Sequence, residues 1–455
     1  MMRAMTLSEL QEPLEAKLLG ADVSFSAVFT DSRAPLDRAL FVALVGEHFD
    51  GNEYVADVAD RGAAAALVSR PTGTALAQLC VRDTSVALGR LGAFNRSLYQ
   101  GPLVAITGSC GKTTAKNLIH SVLAQRGNTL ATEGNFNNEI GVPLTLLRLR
   151  PDTEFAVIEM GAGKPGDIAQ LCALARPNVS VLLNVMPAHL EGMGSLQGIA
   201  QTKGEIFDGL AAGDVAVLNA DEPWAAEWRS RAGAAQIIDF SLHGGAAISA
   251  VSIEPMGVSG TRLQAGTPAG PIDLTLRLPG AHNVANALAA IAVGLACGLG
   301  LPEIKAGLEA VVPVAGRLSA SRAANGALLI DDCYNANPGS TRAAIDTLVT
   351  SSGRRTLIMG AMLELGSQSE AMHRELGVYA REAGLDGFWG VGEELRDAVA
   401  AFGKHGRWFA DCDALAAAAE DAFGSGDTLL VKGSRGARME RVLQKLALHT
   451  AEEEG

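Results

Sequence analysis

Cysteine pairs, basic runs and uninterrupted apolar segments are what this chain lacks, and each absence closes a class of function. The six cysteines, at positions 80, 110, 172, 297, 333 and 412, are scattered, with no Cys-x-x-Cys among them. That excludes a zinc ribbon or a dithiol redox couple and fits a reducing cytosol. With no basic run and a net charge of −13, neither nucleic acid nor an anionic membrane surface is expected as the main partner. Anionic ligands then require local positive sites. Glu9, Glu12, Glu15 and Lys17 break up the apolar positions of the first twenty residues, which does not suit a secretory signal. The stretch 284–301 is long enough to span a bilayer, yet Asn286 and several glycines interrupt it and no Lys/Arg cluster flanks it. It reads as a buried helix.

What is present is apolar material for several cores. The chain has 455 residues, 48% of them hydrophobic, too many for one domain. Short apolar runs at 39–44 and 63–68 alternate with helical stretches in the first zone. From about 83 a strand, loop, helix rhythm begins, with strands expected at 103–107, 155–159, 179–184 and 215–219. Continuous apolar runs of this kind suit a parallel sheet covered on both faces. A second such rhythm follows 313, with strands expected at 327–331, 356–359, 387–391 and 428–431. The expected fold class is therefore α/β in three domains. These are a small mixed α/β N-terminal domain (1–82), a central P-loop ATPase-type domain on a parallel sheet (83–313), and a C-terminal nucleotide-binding-type α/β domain (314–455).

The most informative segment is Leu103-Val-Ala-Ile-Thr-Gly-Ser-Cys-Gly-Lys-Thr-Thr114, a strand that breaks into a glycine loop and opens a helix. Gly108 and Gly111 let the N–H groups of Ser109, Cys110 and their neighbours turn inward as a phosphate cradle. Lys112 brings a point charge to the β- and γ-phosphates, and Thr113, followed by Thr114, offers a hydroxyl to Mg²⁺. The cradle is a short variant, since Ile106 stands where the general pattern has its first glycine. Cys110 lies at the following helix N-terminus. The helix dipole favours its thiolate, whereas an apolar contact leaves it inert.

Other polar groups collect at strand ends, where open parallel sheets bind ligands. Glu159 is a Mg²⁺ ligand or a helix-capping carboxylate. His189, in Pro-Ala-His-Leu-Glu-Gly, is a lone loop histidine, a class more often structural than functional. Lys203 reads from its spacing as a solvated helix lysine. Asn135, Asn137 and Asn138 suit a sugar, a peptide or a phosphate, or else form Asx turns. Asn283 and Asn286, one helical turn apart, can face one ligand edge such as adenine, or Asn283 caps the helix. The loops Asp331-Asp-Cys-Tyr-Asn-Ala-Asn-Pro338 and Lys432-Gly-Ser-Arg435 also follow strands.

Taken in order, Thr-Gly-Ser-Cys-Gly-Lys-Thr-Thr, Gly-Asn-Phe-Asn-Asn, Glu159-Met-Gly, Ala-His189-Leu-Glu-Gly, Lys203-Gly-Glu, His-Asn-Val-Ala-Asn and Asp-Cys-Tyr-Asn-Ala-Asn-Pro resemble the Mur ligase family over about residues 27–445. Thr30-Asp-Ser-Arg33, Leu40-Phe-Val-Ala-Leu-Val-Gly46 and Leu363-Glu-Leu-Gly366 resemble the branch that adds a dipeptide. The resemblance implies a cytoplasmic, ATP-driven amide ligase, expected to be a monomer. Its substrates would be UDP-N-acetylmuramoyl-tripeptide and D-Ala-D-Ala, joined through an acyl phosphate. It implies that Lys112 holds phosphates, that Thr113 and Glu159 hold one Mg²⁺ and His189 helps hold a second, and that Lys203 is carbamylated as a metal partner. By the same resemblance Asn138 lies near the transferred phosphoryl group, Asn283 and Asn286 meet adenine, and Arg317 and Asp332 reach over the nucleotide. Ser32 and Arg33 match the UDP-sugar positions. The chain departs from the family at Ala361, where an aspartate is usual, and at Ala281, where an arginine is usual. A rival within the superfamily is a folylpolyglutamate synthase, against which the Thr30–Arg33 segment speaks; a rival of another class is a nucleotide-dependent switch.

Overall fold

The computed structural model describes residues 2–34, 37–187 and 190–447, and these form three large sheets and a two-stranded one, Met5–Thr6 with Ser24–Phe25. The first has five strands in the order Lys17–Leu19, Ala77–Cys80, Ala65–Val68, Ala39–Val42, Ala27–Phe29. Alternation decides its two faces. Leu40, Val42, Leu67 and Leu79 pack with helices Leu7–Leu14 and Thr84–Ser97, whereas Phe41, Ala66 and Val68 pack with Val55 and Val58.

The central sheet has nine strands, with Leu103–Thr107 between Phe155–Glu159 and Val179–Leu182. All five residues of Leu103–Thr107 are buried because both faces are covered. Val104 and Ile106 face helices Lys112–Leu123 and Ala281–Ala296, and Leu103 and Ala105 join the core on the opposite face. The apolar stretch that began as a membrane lookalike is this second helix, buried along most of its length. Among the described residues no helix is long and apolar enough to cross a membrane.

The sequence reading did not expect two parallel strands of this sheet, Thr129–Ala131 and Gln236–Ser241, and two further features differ from it. Strand 179–184 ends at Leu182, because Leu183 and Asn184 leave the ladder to meet the glycine loop: Asn184 O accepts Ser109 N–H at 3.1 Å. Beyond Gln236–Ser241 the sheet also continues through Ile248–Pro255, Thr261–Thr267 and Gly270–Leu276, and these last three pair antiparallel. They carry no continuous apolar run, since one face is open to water and Val251 is exposed, so a search for buried parallel strands passes over them.

The third sheet runs Ser319–Arg322, Leu328–Asp332, Asp427–Lys432, Arg354–Met359, Gly387–Val391, Gly406–Phe409. The first strand is antiparallel and the rest are parallel. Helix Thr84–Ser97 ties the first sheet to the second. Its Leu88 and Leu91 lie in the N-terminal core, while Asn95 Nδ2 donates to Leu146 O at 2.8 Å and Arg96 Nε to Ala175 O at 2.7 Å. Meeting those buried side-chain donors with main-chain carbonyls offsets part of the cost of burying them and resists sliding.

Candidate functional site

A cavity of about 1110 Å³ opens where the carboxyl ends of the central strands meet the third domain. Its floor is the glycine loop. Gly111 has φ +80° and forms the N-cap of helix Lys112–Leu123. Only glycine fits there: a Cβ would strain the backbone and stand 2.7 Å from Asn286 Oδ1. Asn184 braces the loop in both directions, its Oδ1 accepting Cys110 N–H at 2.9 Å and its Nδ2 donating to Cys110 O at 3.1 Å. Ser109 Oγ donates to Met186 O and accepts Met186 N–H. Lys112 Nζ rests on Gly108 O at 2.7 Å.

Two strand ends, the loop residue Asn137 and one crossing residue converge beside the glycine loop. Thr113 Oγ1 donates to Glu159 Oε2 at 2.9 Å, and Asn137 Nδ2 donates to Glu159 Oε1 at 2.8 Å. Glu159 is buried and its own N–H is held by Thr132 Oγ1 at 2.9 Å. Lys116, also buried, donates to Thr132 O at 2.7 Å, so a second lysine of the same helix steadies the strand end from behind. From the third domain Arg317 Nη2 reaches Thr113 Oγ1 at 3.0 Å. A second polar contact between the two walls joins Cys110 Sγ to the Asn337 amide. Asn337 in turn caps helix Pro338–Val349, accepting Ser340 N–H at 2.8 Å.

The asparagines divide. Asn135, Asn137 and Asn138 all line the cavity, but the Asn138 Oδ1 accepts Gly141 N–H at 2.9 Å as an Asx turn into helix Gly141–Leu146. Asn283 and Asn286 line it too; Asn283 Nδ2 donates to Pro279 O at 2.8 Å and Asn286 Nδ2 to Asn283 Oδ1 at 3.3 Å. Asp332 faces the cavity while paired with the buried Lys432 at 2.5 Å; burial pushes its carboxyl up and Lys432 opposes the rise.

Lys203 differs most from its sequence reading as a solvated lysine. It is only 2% exposed, lines the cavity and makes no ion pair among the described residues. Burial, reinforced by Lys112, pulls its ammonium down to about 7. His189 lies outside the described residues. Ser32 and Arg33 are not among the residues lining the cavity. They sit on the N-terminal domain, where Arg33 pairs with Asp31 at 2.9 Å and the Arg61 guanidinium grips the carbonyls of Ser32, Arg33 and Ala34. Ala361 is buried in the third-domain core and Ala281 opens its helix on the surface, so neither departure from the family pattern lines the cavity.

Sequence reasoning did not single out His282, Tyr334, Asn337 or Arg61. The first three line the cavity, and His282 is held down to about 4 by burial and then by Lys432. For Tyr334 and Asn337 the signal was available: both lie in the polar loop that follows Leu328–Asp332.

A parallel sheet that ends in a glycine cradle, with a second α/β domain closing over it, defines a P-loop nucleotide-binding protein. The comparisons with known proteins narrow this. Residues 106–294 match the Mur ligase middle domain and residues 316–435 the Mur ligase, glutamate ligase domain. The chain belongs to the Mur ligase family. It is 44% identical over 449 residues to the UDP-N-acetylmuramoyl-tripeptide--D-alanyl-D-alanine ligase of Escherichia coli, covering 98% of this chain and 99% of that protein. Its fold superposes on MurF from Acinetobacter baumannii with a TM-score of 0.94 at 35% identity, over 98% and 99% of the two chains. It also superposes on the MurF ligase of Thermotoga maritima in complex with ADP, with a TM-score of 0.84 at 28% identity over 93% and 97%.

Proposed function

We propose that this chain is an ATP-dependent amide-forming ligase. It joins D-Ala-D-Ala to UDP-N-acetylmuramoyl-tripeptide through an acyl phosphate, in cytoplasmic assembly of peptidoglycan precursors, and acts as a monomer. The observation that carries the substrate pair is the 44% identity, over nearly the whole of both chains, to a ligase of that name. A terminal carboxylate oxygen of the tripeptide attacks the γ-phosphorus, the bond to the bridging oxygen breaks and ADP leaves. The dipeptide amine then attacks the acyl carbon, phosphate departs with the C–O electron pair, and the amine gives up a proton. In this reading residues 1–82 bind the UDP-sugar through Ser32 and Arg33, residues 83–313 bind ATP, and residues 314–455 close over it.

The loop N–H groups and Lys112 stabilise charge moving onto the β–γ bridge, and Arg317 adds a guanidinium from the opposite wall. Asn283 and Asn286 border the adenine, Asn135, Asn137 and Asn138 the reacting phosphoryl and carboxylate, and Asp332 the far side of the nucleotide. Thr113 and Glu159 are hard oxygen donors 2.9 Å apart beside the cradle. One carboxylate and one hydroxyl completed by substrate phosphates is a donor set that fits Mg²⁺, which on binding supplies charge neutralisation. His189 and a carbamylated Lys203 complete the expected metal partners. Support for the carbamate comes from the burial of Lys203 with no ion-pair partner among the described residues. An uncompensated ammonium is costly there, and a carbamate reverses its charge.

The test is ADP and phosphate release from the purified chain with ATP, Mg²⁺, UDP-tripeptide and D-Ala-D-Ala, leaving out one component at a time. Release should require both peptide substrates. ADP formed equally well without the dipeptide means a nucleotide-dependent switch, and release driven by a folate and glutamate means the rival ligase.

A further inference from the structure

Arg317 is a charged side chain that the third domain sends into the phosphate-loop wall, and four features decide where its guanidinium points. Gly316 N–H donates to Asp331 Oδ2 at 2.9 Å, and Gly316 O accepts Tyr334 N–H at 3.1 Å. The segment entering the third domain is therefore stitched to the loop that follows Leu328–Asp332. Leu318, the next residue, holds a left-handed φ of +55°, a conformation that an L side chain adopts only at a cost. Its side chain is buried in the third-domain core, which offsets that cost and fixes the backbone at Arg317. Finally the Arg317 guanidinium carbon sits 4.0 Å from the centroid of the Tyr334 ring. The same side chain extends to Thr113 Oγ1.

We propose that Tyr334 is a positioning residue for Arg317. Its ring face holds the guanidinium over the phosphate loop, so that the third domain delivers an oriented cation rather than a free one. An arginine left to itself samples many rotamers, and ordering it costs side-chain entropy. A ring beneath the guanidinium meets part of that cost before the nucleotide arrives. Because the Tyr334 N–H is also bonded to Gly316 O, ring and arginine move as one unit with the third domain. The inference rests on the ligase reading, since Arg317 acts there on charge that develops during phosphoryl transfer.

The experiment is a double-mutant cycle in the full chain, with kcat and KM measured for each substrate in Tyr334→Phe, Tyr334→Leu, Arg317→Met and Arg317→Met/Tyr334→Leu. Tyr334→Leu should lower kcat about tenfold with little change in KM for UDP-tripeptide or D-Ala-D-Ala. Tyr334→Phe, which keeps the ring, should restore most of that loss. In the Arg317→Met background, removing the ring should cost nothing more. If Tyr334→Leu costs the same factor with or without Arg317, the ring acts on the substrates directly and the proposal is wrong. It is equally wrong if Tyr334→Phe is as impaired as Tyr334→Leu. Absence of two-substrate turnover in the unaltered chain overturns the ligase reading and this inference with it, whereas an additive cycle in an active enzyme overturns this inference alone.

Discussion

The two walls of the cleft are made from similar sheets and differ in how their polar groups are held. On the central wall, Asn137, Glu159 and Thr113 are linked in one chain of hydrogen bonds, and Asn184 braces the glycine loop from both sides. Lys203 is buried there without an ion-pair partner among the described residues. On the third-domain wall the charged pair Lys432–Asp332 satisfies itself, Asn337 caps a helix, and the polar groups seen reaching the glycine loop among the described residues are the Arg317 guanidinium and the Asn337 amide. A preorganised wall and a wall that docks against it are what a reaction with a water-sensitive intermediate needs, because water is excluded by closure while the phosphate site stays rigid. Changes on the first wall should therefore strike the transition state, and changes on the second should grade the rate.

Lys112→Ala is the severest test of that contrast. It removes a charge that acts on the phosphates from a loop outside any core, so turnover should fall by about 10³-fold or more with the melting temperature unchanged. Phosphate release at the original rate by a folded Lys112→Ala protein breaks the phosphate-loop assignment. Lys203 comes next. Lys203→Ala should lose about 100-fold, and a short carboxylic acid in the buffer should restore part of it by filling the vacated place. Lys203→Arg should stay inactive, because guanidinium keeps the wrong charge and cannot be carbamylated. A fully active Lys203→Arg enzyme at low bicarbonate returns Lys203 to an ordinary lysine.

Legibility in the sequence followed the range of the interaction. The glycine loop, its Lys-Thr and the strand before it are adjacent in the chain, so their geometry is local and readable. Glu159 was readable as the polar end of an apolar run. The buried state of Lys203 was not, because the residues that enclose it come from separate segments and leave no spacing behind. The same holds for Arg61, which grips a loop 27 to 29 residues away, and for Tyr334 beneath Arg317. In the fold, continuous apolar strands were legible and half-exposed antiparallel ones were not, since their alternation is short and mixed with polar residues. Asn138 shows the remaining ambiguity: a side chain that suits a ligand equally suits a turn, and its Oδ1 makes the turn.

Cys110 sharpens the comparison at the seam between the walls. Its sulfur touches the Asn337 amide while its backbone forms the cradle, so a small change should be tolerated and a large one should not. Cys110→Ser is expected to alter turnover by less than about threefold, as a hydroxyl keeps a weak hydrogen bond of similar reach. Alkylation of the thiol should block both nucleotide binding and closure, and Mg-ATP should slow the labelling. Equal labelling rates of Cys110 with and without nucleotide would show that the thiol does not face the bound phosphates.

The smallest expected effect lies behind the docking wall, at His373, and it concerns stability rather than rate. The ring is fully buried. Its Nδ1 donates to Ser369 O at 2.7 Å, which leaves Nε2 to accept Met362 N–H at 2.9 Å, so the neutral tautomer satisfies both partners. A proton added at Nε2 would set two donors against each other. Burial holds this imidazole below its usual 6.5, outweighing the opposing pull of the Ser369 carbonyl and Glu394. The unfolded chain consequently binds the proton more readily than the folded one. The stabilisation is then complete above about pH 6.5 and is lost as the pH falls below it. Melting followed from pH 7.5 to 5.5 should show Tm dropping by a few degrees more in the unaltered chain than in His373→Leu, although the variant is the less stable of the two at pH 7.5. Parallel acid limbs in the two proteins would mean that His373 keeps one protonation state throughout, and that the loop from Ala361 to Leu365 is held by its contacts with Ser434 instead.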